Sequence, residues 1–160
     1  FCFVLTLKIG LPFARGQTSY FYMSVHLKKL SVGSISIDNL RSWQDRAVDQ
    51  GRPIIHPTRN WPRRADELLD GGCIYWIIKG QMMVRQPIAD MIEVKREDGR
   101  PACGIVLEPK LIPVWPRRVR IFQGWRYLEV ADAPEDLPQT SDSEPMPTEL
   151  ASELRELGLL

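Results

Sequence analysis

Cysteine and histidine are both scarce in this sequence. Cys2, Cys73 and Cys103 are its three cysteines, and no two of them form a CxxC pair. An odd count at such wide spacing argues against a disulfide framework. With only His26 and His56 to add, zinc would need scattered ligands, so no metal and no cofactor is expected. The chain has no GxxxxGK[ST], no GxGxxG and no HExxH. It therefore lacks the phosphate-loop, dinucleotide and zinc-protease signatures. A bilayer-length apolar run is missing too. "FCFVLTLKIGLPFARG" is interrupted by Lys8 and is too short to span. It also lacks the positive n-region of a secretory signal. This composition suits a reducing, cytoplasmic compartment.

What is present is a globular composition, 44% hydrophobic and 26% charged over 160 residues, which fits one domain with flanking segments. The near-neutral net charge conceals an asymmetry. Residues 1–58 carry 7 Lys/Arg against 3 Asp/Glu, residues 59–128 carry 13 against 8, and residues 129–160 carry 1 against 9. A basic body with an acidic tail bears on partners rather than on fold. Met23, followed by "SVHLKKLSVG", reads as a natural start. Residues 1–22 then read as an extension that is non-native or disordered; a truncated signal or anchor is the rival reading.

Periodicity divides the body, residues 23–130, into short elements. "VHLKKLSVGS" alternates Val25, Leu27 and Leu30 with polar residues as a strand does. "SIDNLRSWQDRAVDQG" reads as a helix capped by Ser36 or Asp38, with Leu40, Trp43 and Ala47 on one face and Gly51 as its stop. "RPIIHPTRN" reads as a proline-punctuated loop. "WPRRADELLDGG" is a second, short helix ended by Gly71–Gly72, leading into the apolar strand "CIYWIIKG". "QMMVRQPIADMIEV" is a longer strand, with Pro87 marking a bulge or edge. Asp98–Gly99 turns the chain into "CGIVLEP". "KLIPVWPRR" is a loop or edge segment, and "VRIFQGWRYLEV" gives two short strands around Gly124. The expected fold is α+β: two short helices against a small, bent antiparallel sheet or half-open barrel. Residues 131–160 read as a disordered acidic Pro/Ser-rich tail, with a marginal helix carrying Leu150, Leu154 and Leu157.

Catalytic groups are thinly supplied. Cys73 opens an apolar strand, where a thiol is usually inert. His56 could act as a base from its loop, and Asp66, Glu67 and Asp70 share a helix that Arg63 and Arg64 can neutralise. By contrast, arginines and aromatics interleave. Arg59, Arg63, Arg64, Arg85, Arg117, Arg118 and Arg126 stand near Trp61, Trp76 and Trp125 in sequence. Guanidinium groups pair with phosphate and rings stack on exposed bases. Gln86 and Gln123 could read a base edge. An RNA or other nucleic-acid partner is expected from this pattern. The alternatives are a protein-interaction adaptor working through the acidic tail, or a small hydrolase or modification enzyme using His56.

Three segments, "TRNWPRRADELLDGGCIYWIIKG", "VRQPI" and "RIFQGWRYL" followed by "APEDL", resemble the domain-of-unknown-function 1489 family of bacterial proteins. "VHLKKLSVGSISIDNLRSWQ" resembles that family's opening. The resemblance covers about residues 24–137 and brings no activity or catalytic residues. Cys73 departs from the family pattern, which has Ser there. By looser analogy, a helix ending in "LLDGG", a buried strand and an arginine-bearing second strand look like the PUA and ASCH barrels. Those barrels bind RNA or modified bases beside the helix.

Overall fold

The computed structural model describes residues 24–138 together with residues 150, 153, 154 and 156–158. At its centre lies β3 (Cys73–Ile78), all six residues of which are buried. Strand alternation sends Ile74, Trp76 and Ile78 into one apolar cluster and Cys73, Tyr75 and Ile77 into another across the sheet. Lys79 and Gly80 turn the chain into β4 (Gln81–Lys95), both with positive φ, at 48° and 79°. That is the geometry of a two-residue hairpin turn whose twist matches its strands. The expected Asp98–Gly99 turn joins β4 to β5 (Pro101–Leu107), and Asp98 Oδ1 accepts from the Arg100 amide at 3.1 Å.

β4 is long enough to serve several partners. Its first part pairs with β3 on one side and with β6 (Ile112–Arg118) on the other, and its second part pairs with β5. The register against β5 shifts between Ile88 and Asp90, just after Pro87. A bulge there bends the strand.

The full sheet has seven strands in the order β2-β5-β4-β3-β1-β7, with β6 on β4. It is open: β2 (Ile54–Thr58) and β7 (Trp125–Glu129) end the order without pairing to each other. It is also mixed, which corrects the antiparallel expectation. β1 (Val25–Leu30) runs parallel to β3, because both helices and β2 lie between them in sequence and carry the chain back across. Two further expectations are corrected. "RPIIHPTRN" contains a strand, since its Pro57 sits on edge strand β2 opposite Gly104 of β5, and an edge tolerates a missing N–H. "VRIFQGWRYLEV" yields one strand, β7, rather than two.

Two helices pack on the sheet. α1 (Ile37–Asp49) starts at Ser36, whose hydroxyl accepts from the Asn39 amide at 3.1 Å. Its buried face is Ile37, Leu40 and Gln44. Trp43, expected on that face, is 57% exposed. α2 (Ala65–Leu69) is a single turn anchored by fully buried Leu68. Gly71 follows it with φ 80°, the left-handed ending that glycine adopts without strain. Gly72 has another reason to be glycine. A Cβ there would lie 2.3 Å from the Leu68 carbonyl oxygen and 2.6 Å from that of Val25.

Beyond β7, a 3-10 turn at Val130–Asp132 leads to a stretch that lies along β6. Trp115 donates its amide to Glu135 at 2.9 Å, and the Leu137 amide donates to Pro113 at 3.0 Å. Residues 133–137, assigned from sequence to the tail, thus lie against the sheet. In the last segment, residues 150, 153, 154 and 156 have helical backbone. The expected extension at 1–22 and most of the expected disordered tail lie outside the described residues.

Candidate functional site

The segment "TRNWPRR" meets β7 across the open side of the sheet. Trp125 donates its indole N–H to Thr58 Oγ1 at 2.8 Å, and the Arg64 amide donates to the Tyr127 hydroxyl at 3.0 Å. The Trp125 and Tyr127 rings meet edge to face, with centroids 5.2 Å apart. These contacts fix the chain on either side of residues 59–63.

Arg64 is consumed by this framework. Its guanidinium bonds Glu67 at 2.8 and 2.5 Å and Glu129 at 2.6 Å, and lies 5.4 Å from the Tyr127 ring centroid. Those bonds hold Arg64 charged and hold the Glu67 carboxyl below its ordinary value. A phosphate-positioning role for Arg64 would require breaking both pairs. Arg59 and Arg63 differ: both are exposed, and neither has a side-chain hydrogen bond or ion pair among the described residues. Trp61, between them, is 48% exposed, whereas the next residue, Pro62, is fully buried. Gln123 is exposed, and Arg126 lies 4.8 Å from the Phe122 ring centroid.

Two other expected contacts, Gln86 and Trp76, lie inside the protein, and three arginines are engaged nearer its surface. Gln86 is fully buried and forms a reciprocal amide pair with Gln44, both bonds 2.9 Å. It also donates to the Glu108 carbonyl at 2.7 Å and accepts the Trp76 indole N–H at 3.0 Å. Trp76 is only 4% exposed. Neither side chain can stack on or read a base, because the core already holds both. The signal that hid this is the apolar run around Trp76, which predicts burial but not its polar partners. Arg85 donates to both carboxylate oxygens of Asp136 at 2.6 Å and to Cys73 Sγ at 3.3 Å. It fastens the stretch 133–137 to the sheet. Arg117 donates to the Asp132 carbonyl at 2.6 Å, and Arg118 to Glu156 at 2.9 Å.

The groups considered for catalysis are also placed. His56 points inward from β2 and meets the Trp76 ring edge to face, with centroids 5.3 Å apart. Its Nε2 is buried without a hydrogen-bond partner among the described residues. Burial, assisted by the Lys29 charge, pushes its pKa down to about 4. His56 is therefore neutral near pH 7 and walled in. Burial pushes the Cys73 thiol up despite Arg85 beside it, so it is a weak nucleophile. Nearby, His26 Nδ1 accepts from the Cys73 amide at 3.1 Å. Among the described residues no three or more of His, Cys, Asp and Glu gather as metal ligands. None of their helices is long and apolar enough to cross a membrane.

The fold and surface define an α+β protein with an open mixed sheet, an ordered rim of arginine and tryptophan, and a buried amide network beneath. The chain belongs to the DUF1489 family of proteins of unknown function, which residues 27–160 match. No curated protein and no solved structure gives a significant match.

Proposed function

We propose that this protein binds single-stranded nucleic acid, RNA in particular, through Arg59, Trp61 and Arg63, with Trp125 alongside; Arg126, next to it on β7, lies over Phe122 on the other face. The observation that carries the reading is Trp61. It is a large aromatic left half-exposed between two unpartnered arginines. Its flanks are tied down by the Thr58–Trp125 and Arg64–Tyr127 bonds. A pre-positioned ring can stack a base without an ordering cost, and the guanidinium groups can take the neighbouring phosphates. The bent sheet with a short helix at its rim is also compatible with a PUA- or ASCH-like module, an analogy of shape alone.

Fluorescence anisotropy with pooled cellular RNA across a salt series tests this. Affinity should fall steeply with salt, and Arg59→Ala with Arg63→Ala should lower the log–log slope by roughly 1.4. Trp61→Ala should cost about 1–3 kcal/mol of binding. Undetectable or salt-independent binding would refute the reading.

A further inference from the structure

On another part of the surface, the β3–β4 turn and the end of β6 enclose an open cleft of about 460 Å³. Lys79, Gly80, Gln81, Arg118, Val119 and Arg120 line it. Three of the six are cations and none is a carboxylate. The Val119 amide donates to the Gly80 carbonyl at 2.9 Å, so the two walls are joined at the base. Lys79 and Arg120 are exposed and have no side-chain ion pair among the described residues.

The backbone at Lys79 adds an independent observation. Its φ is 48°, and it is the sole non-glycine with positive φ among the described residues. The first position of such a turn favours Asn, Asp or Gly. Lysine has no conformational reason to be there, and what it brings is an ammonium at the cleft. Residues strained in this way cluster where a ligand is held.

The third observation is what touches the cleft. Glu156, from the segment with 9 acidic residues against 1 basic, bonds Arg118 at 2.9 Å. Both partners are largely exposed, at 79% for Arg118 and 59% for Glu156, so water and salt weaken the pair and it can be exchanged. A carboxylate on an arginine at the mouth of a basic cleft presents two oxygens as a phosphate would.

The geometry points to a phosphate-binding site formed by Lys79, Arg118 and Arg120, with the Glu156 carboxylate as its internal competitor. It depends on the nucleic-acid reading only for the source of the phosphate.

The test uses the full chain with Lys79→Asn, Glu156→Gln and, separately, Trp61→Ala. The probes are a short fluorescein-labelled oligouridylate, read by anisotropy, and inorganic pyrophosphate, read by calorimetry. Glu156→Gln should tighten both about 2- to 5-fold, the size of an exposed ion pair. Lys79→Asn should weaken both by a similar factor while leaving the melting temperature unchanged or higher, since Asn relieves the turn. If neither variant shifts either probe, the cleft proposal is overturned, and a loss with Trp61→Ala alone would leave the rim reading standing. If pyrophosphate responds and the oligonucleotide never binds, the cleft stands and the nucleic-acid reading fails. A lower melting temperature for Lys79→Asn would show the lysine to be structural and would also overturn the proposal.

Discussion

Trp125 and Thr58 join the two ends of an open sheet by one side-chain hydrogen bond, 2.8 Å long. Strands β2 and β7 are not paired by backbone, so this bond holds what the sheet leaves unclosed. Thr58→Val keeps the shape but strands a part-buried indole N–H. Urea unfolding should show a loss of about 1–2 kcal/mol, and the Thr58→Val/Trp125→Phe double variant should regain part of it. An unchanged urea midpoint for Thr58→Val would show that the bond contributes nothing.

Gln86 is the polar centre of the core. Gln86→Leu would orphan the Trp76 indole N–H, the Glu108 carbonyl and the Gln44 amide together. A loss of about 2–4 kcal/mol is expected, more than for an isolated hydrogen bond. The Trp76 fluorescence should change with it. A variant as stable as the parent would show that this network adds nothing net to stability.

His56 should make the protein acid-sensitive in a defined window. Its folded pKa, about 4, lies below its ordinary 6.5, so the unfolded chain takes up the proton first. Its contribution is therefore fully present above pH 6.5 and is lost as pH falls toward 4, up to about 3 kcal/mol. His56→Leu should reduce the slope of the stability–pH curve between those limits, and His26, whose pKa burial and the Arg85 charge also lower, keeps part of it. Residual acid loss at lower pH belongs to carboxylates such as Asp136, whose pKa Arg85 depresses. A variant curve parallel to the parent's from pH 6.5 to 4 would count against burial of the neutral ring.

The two adjacent glycines after α2 should respond differently to alanine. Gly71→Ala meets only the left-handed φ, with an expected cost of about 1 kcal/mol. Gly72→Ala would press a methyl into two carbonyl oxygens. It should unfold the junction of α2, β1 and β3 and sharply lower the melting temperature. Equal melting temperatures for the two variants would contradict the packing described.

Much of this fold was legible because its signals are local. β3 follows from an unbroken apolar run, α1 from Ser36 and Gly51, and the β4–β5 turn from Asp98–Gly99. What was hidden depends on distant partners. No local pattern makes β1 parallel to β3, and prolines masked the edge strand β2. The arginines were visible as a group, but composition cannot tell Arg64 and Arg85, held by carboxylates, from Arg59 and Arg63, which are not. Lys79 escaped notice because it looks like an ordinary turn residue until its φ is known.

The sharing of β4 among three strands has a consequence for the order of assembly. Its pairings with β3 and β5 close through short turns, whereas those joining β1 to β3 and to β7 span much longer stretches of chain. Short closures form first because they lose less chain entropy. The β3–β4–β5 meander should thus act as the folding nucleus, and β7 and the 59–63 rim should dock late. Native-state hydrogen exchange would then show slow amides at Trp76 and Val84 and faster ones at Trp125 and Tyr127. The rim at residues 59–63 would then open before the nucleus does, while the Lys79 turn, inside the meander, stays closed.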